Sequence, residues 1–215
     1  MGALAWAVKR FTFLIRGKEE DDPLYNDFST DDFPELIGKP HELLTKFGLD
    51  LKAETIEDAK RLPAGQGIAE MAKIAYTTDL HLGKGKHPKN ALTFPGDHCW
   101  DWINNVYKAN GVNLGTTPQV YRRAGYPKRS SKGIGENAEF DPTLLKEGDH
   151  VIYHNGNSYD VNGSHSAIYL GFKNGRHMCA SMPYPDHRPR IHSVDFSTQK
   201  INQVRSANSG PLITS

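Results

Sequence analysis

The sequence predicts a fold of the α+β class, because segments with a helical pattern come first and segments with a strand pattern follow. Residues 67–76 and 96–112 carry apolar side chains at helical spacing. From residue 144 onwards, short apolar segments alternate with turns rich in Asn, Gly and Ser. This order favours a helix bearing Cys99 packed on an antiparallel sheet, preceded by a mainly helical N-terminal segment.

The chain divides into an acidic first part and a mildly basic second part. Residues 1–63 contain 9 Lys or Arg and 13 Asp or Glu, whereas residues 64–215 contain 17 and 12. Within the first part, residues 18–32 are typical of a solvated linker, and residues 41–47 and 54–62 of short helices. We therefore predict an N-terminal accessory segment at 1–63 and a main domain at 64–215.

The composition excludes several classes of function. The apolar fraction of 37% is that of a globular protein, and no apolar run reaches the roughly 20 residues that span a bilayer. The second part lacks a basic helix or a basic–aromatic run, so we expect no nucleic-acid partner. Residues 1–17 are interrupted by Lys9 and Arg10 and form no recognisable signal peptide. We favour their packing on the body of the protein over contact with a membrane.

The second half of the chain carries the strand pattern. Strands are predicted at 147–154, 164–172 and 176–182, with one or two more within 191–204. Asn174-Gly175 between two of these segments is a strong hairpin signal. Upstream, residues 116–124 are predicted to form a short helix, with Pro118 in its first turn.

Cys99 stands at the start of the predicted helix at 96–112. Pro95 and Gly96 indicate a turn, and Asp97 is a suitable N-cap. A thiol at this place lies near the positive end of the helix dipole, which favours the thiolate. Backbone N–H groups of the same turn are placed to stabilise an oxyanion. Cys99 is therefore a candidate nucleophile, and the alternative is a small buried apolar residue.

A nucleophilic cysteine needs a base, and His165 is the best candidate. It begins a predicted strand directly after Gly163-Ser164, where a side chain can meet the start of the cysteine helix. An imidazole has an ordinary pKa of about 6.5, so a thiolate–imidazolium pair is accessible around neutral pH. The alternative for His165 is an ordinary half-buried strand residue.

Three segments together resemble a known family. Cys99 is followed by Val106-Tyr107 in its helix, then by GDHVIYH at 148–154, and then by HSAIYLG at 165–171. In order, spacing and context these resemble the NlpC-type cell-wall cysteine peptidases of the papain-like superfamily. The resemblance covers residues 67–182, about half of the chain. It implies a papain-like NlpC-type fold and cleavage of amide bonds in peptidoglycan stem peptides.

The same resemblance implies roles for individual residues. Cys99 would be the nucleophile and His165 the general base. The family carries a third polar residue on the strand after the hairpin, and Cys179 occupies its place here. We favour His177 for this role, because it shares a strand face with Cys179 and an imidazole orients a second imidazole better than a thiol does.

Three further side chains are candidate substrate-binding residues. Tyr76 is the counterpart of a tyrosine that lines the family's site upstream of the cysteine. Trp100 stands where the family keeps a small residue, so its indole would reshape the entrance beside Asp97.

Other functions fit the same sequence. The fold would also suit a lipid acyltransferase or thioesterase, or a non-catalytic binding module. The ten histidines show no HExxH spacing and the cysteines no CxxC spacing, so we expect no metal and no cofactor. If peptidoglycan is the substrate, the protein acts outside the cytoplasm, for example as a secreted toxin or a phage lysis protein. An immunity or carrier protein is then a candidate partner.

Overall fold

A computed structural model describes residues 40–79, 92–96, 99–114, 141–155, 164–182 and 188–207, together with short strands at 26–27 and 121–122. The described residues form helices packed against one face of an antiparallel sheet, which confirms the predicted α+β class. Asp97 and residues 1–17 lie outside the described part of the chain.

Four α-helices occur in the described residues. They are α1 (Pro40–Lys46), α2 (Ile56–Ala59), α3 (Ala64–Asp79) and α4 (Cys99–Ala109). Thr55 caps α2 by accepting a hydrogen bond from the Asp58 backbone N–H at 3.1 Å. Gly111, at φ +74°, follows the last turn of α4 in the left-handed conformation that commonly ends a helix. Within the described residues, no helix is long and apolar enough to cross a bilayer.

Over the described residues, seven strands form one sheet, and every neighbouring pair is antiparallel. In chain order they are β1 (Asn26–Asp27), β2 (Tyr121–Arg122), β3 (His150–Asn155), β4 (Ser164–Lys173), β5 (Arg176–Ser181), β6 (Arg190–Val194) and β7 (Gln199–Ser206). Their order across the sheet is β1-β6-β5-β4-β3-β7-β2. The Asn174-Gly175 hairpin is confirmed, since both residues have positive φ, as a type I′ turn requires.

The predicted helix at 116–124 is wrong over its described residues. Tyr121 and Arg122 form a short strand that pairs with Ser206 and Arg205 at the end of β7. The local helical pattern is overridden here by the unpaired edge of β7, which offers the backbone a ladder of hydrogen-bond partners.

The two faces of the sheet carry separate apolar clusters. One cluster joins the helices to side chains of β4, β5 and β6, among them Ile168, Leu170 and Ala180. The other lies on the opposite face and includes Tyr153 and Tyr169. Because successive side chains of a strand point to opposite faces, the position of each residue in β4 decides which cluster it joins.

The start of β3 fixes α4 and α3 against the sheet. The hydroxyl of Tyr107, in α4, donates a hydrogen bond to the Gly148 carbonyl. Gly148 has φ +83°, and a Cβ there would lie 2.0 Å from the carbonyl oxygen of Gly65, so only glycine fits. Next to it, the buried Asp149 accepts hydrogen bonds from the Ser206 hydroxyl and the Lys146 backbone N–H.

The described N-terminal helices belong to the same core as the main domain. Leu43 and Leu44 of α1, together with Ala59 of α2, lie in the apolar cluster that the longer helices share with the sheet. Lys73 of α3 also forms an ion pair with Glu70 while bonding the Asp50 carbonyl at 2.8 Å. The boundary predicted at residue 63 therefore lies between two helices of one core.

Candidate active site

Cys99 is the first residue of α4, and its side chain is only partly buried. The backbone and the hydroxyl of Ser166 hydrogen-bond the thiol from β4, and so do the backbone groups of Trp100 and of Cys99 itself. The thiol thus has hydrogen-bond partners both in β4 and in the first turn of an eleven-residue helix. Such donors can stabilise negative charge on sulfur or on an oxygen bound beside it.

Burial raises the pKa of the Cys99 thiol above its ordinary value, and hydrogen bonds from Ser166 and the nearby backbone oppose that rise. The sequence expectation of a thiolate favoured by the helix dipole is thus corrected, because desolvation of the sulfur outweighs the local donors. The thiol is protonated at neutral pH. Its use as a nucleophile then requires a nearby group that accepts the proton.

His165 lies on the face of β4 opposite the helices. Its ring contacts Tyr153 at 5.6 Å and His192 at 6.1 Å between centroids, and the Tyr153 hydroxyl bonds Nε2 of His192 at 2.9 Å. Burial, with His192 and His150 nearby, holds the pKa of His165 well below its usual value. The neighbouring residue Ser166, not His165, faces Cys99. The structure therefore does not bring the predicted pair together, and their partnership stays a prediction.

The two candidates for the third residue also lie on this opposite face. Cys179 pairs with Tyr169 in β4, and burial raises its thiol pKa strongly. His177 pairs with Phe172, seven residues along β4 from His165, which is about 23 Å at roughly 3.3 Å per residue. Its Nδ1 bonds the Tyr169 hydroxyl at 2.9 Å. In this arrangement His177 orients Tyr169 rather than His165.

The structure describes two of the three predicted substrate-binding residues, and one of these two is adjacent to Cys99 in the chain. Trp100 follows Cys99 in α4, is half-buried and packs its indole against the ring of His150. Tyr76 lies in α3 with 3% of its surface exposed, and burial raises its pKa to about 12 against the effect of Arg188. A phenol so deeply buried is a core residue that substrate cannot reach directly. Asp97 lies outside the described residues.

Three residues that contact Cys99 or Trp100 were not predicted as site residues from the sequence. Ser166 bonds the thiol, His150 lies under the indole of Trp100 at 5.2 Å between ring centroids, and the Arg205 guanidinium lies 5.0 Å from the same indole. His150 and Arg205 are direct partners across β3 and β7, so they form one platform for Trp100. The alternation of side chains along β3 and β4 was the signal in the sequence that could have found them. It assigns the even-numbered residues of both strands, among them His150 and Ser166, to one face of the sheet.

No protein-family model, curated protein or solved structure matches this chain. The chemistry is therefore argued from the side chains around Cys99. Within the described residues, no three His, Cys, Asp or Glu side chains are grouped so as to hold a metal ion. What the arrangement does provide is a partly exposed thiol with hydrogen-bond donors beside it, followed in the helix by a tryptophan that packs on an imidazole.

Proposed function

We propose that the protein is a cysteine hydrolase that cleaves amide bonds, with Cys99 as its nucleophile. One observation carries the proposal: a partly exposed thiol begins a long helix and receives hydrogen bonds from Ser166 and from the backbone of its own turn. A cysteine that served only for packing would gain nothing from polar partners at that place. A nucleophile gains stabilisation of the thiolate and of the oxyanion formed next to it.

The reaction follows from these groups. The thiol transfers its proton to an imidazole, and the sulfur attacks the amide carbonyl, whose oxygen takes up the electron pair. When the tetrahedral intermediate collapses, the C–N bond breaks and the imidazolium protonates the leaving amine. Water then hydrolyses the thioester and returns Cys99 to its thiol form. The sequence resemblance proposes His165 as the imidazole, but the assignment of Cys99 does not depend on that choice.

The proposed substrate is the stem peptide of peptidoglycan. Three segments support it: the cysteine helix, GDHVIYH at 148–154 and HSAIYLG at 165–171, which resemble the NlpC-type peptidases in order and spacing. The helix-on-sheet arrangement is compatible with their papain-like fold, which we propose for this domain. The basic excess of residues 64–215 also suits an anionic polymer. On this substrate the protein acts outside the cytoplasm.

Purified peptidoglycan fragments with mass analysis of the products test this function. We expect the wild-type protein to release fragments shortened at one amide bond, and Cys99→Ala to release none. Cys179→Ala is the matched control, because it removes the other thiol, which lies on the opposite face of the sheet. Cleavage that persists in Cys99→Ala overturns the nucleophile. Intact fragments with the wild-type protein overturn the substrate.

A further inference from the structure

His150 is a buried imidazole on the face of the sheet that the helices cover. It is fully buried, and it pairs with Ile168, which belongs to the helix-side cluster. Neither ring nitrogen has a hydrogen-bond partner among the described residues. A buried polar ring without partners destabilises the fold, since each unsatisfied group costs about 1–3 kcal/mol, and a catalytic role is one reason for which proteins keep such a group.

The strand register places this imidazole on the same face of the sheet as Ser166, the serine that hydrogen-bonds the Cys99 thiol. Ser166, which bonds the thiol, pairs with Ile152, and His150 is the next residue of β3 on the same face. Ser166 and His150 are thus diagonal neighbours, whose backbones lie roughly 7 Å apart. The indole of Trp100 packs on the His150 ring at 5.2 Å, so the residue that follows Cys99 already touches it. His165, in contrast, points to the other face.

The surroundings of His150 keep its imidazole in the neutral form. Burial lowers its pKa to about 3, and the Arg205 guanidinium from β7 adds to that effect. His165, across the sheet, is the other titratable group that interacts with His150 electrostatically among the described residues. The imidazole is therefore neutral at pH 7, with a nitrogen lone pair and no competing hydrogen bond among the described residues.

We propose that His150, rather than His165, is the proton acceptor for Cys99. This inference rests on the proposed function and names the second residue of that site. The Cys99 S–H bond breaks and its proton passes to a ring nitrogen of His150, while the sulfur forms its bond to the acyl carbon. The same proton then moves to the leaving group as the tetrahedral intermediate collapses. Trp100 covers the pair and keeps water from the proton.

Acylation of Cys99 by 4-nitrophenyl acetate tests the pair without knowledge of the natural substrate. The acetyl group moves to the sulfur and 4-nitrophenolate leaves, and mass analysis of the acid-quenched protein locates the acetyl group. The variants are His150→Gln and, as the matched control, His165→Gln, which removes an imidazole that is also buried, 5% exposed against 0% for His150, from the other face. We expect His150→Gln to acylate about 10²–10⁴-fold more slowly at pH 7, the usual contribution of a general base. We expect His165→Gln to match the wild type.

The pH profile gives the more specific signature. In His150→Gln no imidazole accepts the thiol proton, so only the thiolate already present at a given pH reacts. The acylation rate should therefore rise about tenfold per pH unit up to the thiol pKa. Above that pKa the rate should equal that of the wild type. The wild-type rate should stay level from mildly acidic to neutral pH. If His165→Gln shows the slow, pH-rescued profile and His150→Gln does not, the inference is overturned while the proposed function stands.

Two further outcomes separate the inference from the proposed function. If both variants acylate like the wild type, no imidazole assists Cys99 at this site and the inference fails. If Cys99→Ala releases nitrophenolate as fast as the wild type, the proposed function fails as well.

Should His150→Gln not fold, NMR of the wild-type imidazoles replaces it. Conversion of Cys99 to its mixed disulfide with methanethiol should then shift the NMR signals of the His150 ring and leave those of the His165 ring in place. The reverse pattern overturns the inference.

Discussion

Replacing Ser166 with Ala tests how the Cys99 thiol is stabilised. The Ser166 hydroxyl hydrogen-bonds the thiol and lowers its pKa against the effect of burial. Removal of that hydroxyl should therefore raise the thiol pKa further above its ordinary value. The Ser166 backbone is unchanged in the variant, so its own hydrogen bond to the thiol remains.

The magnitude follows from the strength of one such bond. A hydrogen bond to a charged group contributes about 1.5–3 kcal/mol, and about 1.4 kcal/mol corresponds to one pKa unit. The upper end of this energy range does not apply here, because backbone donors to the thiol remain in the variant and Cys99 is partly exposed. We expect the thiol pKa to rise by about one unit in Ser166→Ala.

The rate of iodoacetamide alkylation of Cys99 as a function of pH measures this shift. Only the thiolate reacts, so the rate rises as pH passes upwards through the pKa, and the midpoint of Ser166→Ala should lie at higher pH than that of the wild type. Ser181→Ala is the control, because it removes a buried hydroxyl of β5 that makes no hydrogen bond to the thiol. An unchanged midpoint in Ser166→Ala, or an equal shift in Ser181→Ala, would refute the reasoning.

Two other perturbations test the frame of the site. Gly148→Ala should lower the free energy of unfolding by more than Gly175→Ala, measured by urea denaturation. Both residues have positive φ, which costs roughly 1–2 kcal/mol in an alanine, but only at Gly148 would the Cβ strike backbone, 2.0 Å from a carbonyl oxygen. Equal losses would contradict the close packing of β3 on α3. Trp100→Ser should uncover His150, so that diethylpyrocarbonate modifies its imidazole faster, as located by mass analysis. The same variant should lose about 2 kcal/mol of stability, less than the 3–5 kcal/mol of a fully buried tryptophan, since Trp100 is half-buried. An unchanged modification rate would show that the indole does not cover this ring.

The hairpin and the strands around it could be predicted because their signals are local. Asn174-Gly175 selects a two-residue turn through the conformations that these residues prefer, and that turn aligns β4 with β5. The first residue of α4 follows in the same way from the turn at Pro95-Gly96. Interactions within a few residues decide these features, so the sequence displays them directly.

Which side of β4 faces the cysteine could not be predicted from the sequence. Ala167 and Tyr169 on one face are as apolar as Ile168 and Leu170 on the other, and both sets are buried. Alternation gives the face of a strand only when one side is polar. The sequence therefore favours His165 as the partner of Cys99, from its place at the start of a strand and from the family resemblance, whereas the structure turns Ser166 towards the thiol.

The protonation state of Cys99 could likewise not be predicted from the sequence. A helix start favours the thiolate, and that local effect can be read from the chain. Burial of the sulfur depends on how α4 packs against β4, and it acts in the opposite direction with greater effect. The candidate base His150 could not be predicted either, because its position depends on tertiary packing. Only the pairing of β3 with β4 and β7 brings its ring under Trp100.

Trapping the acyl-enzyme tests the central claim most directly. Wild-type protein is mixed with purified peptidoglycan fragments, quenched in acid within the first turnover, and digested for mass analysis. The account predicts an acyl group, equal in mass to the part of the stem peptide on the carbonyl side of the cleaved bond, on the peptide that contains Cys99. Cleavage without an adduct on that peptide, and at an undiminished rate in Cys99→Ala, would contradict it.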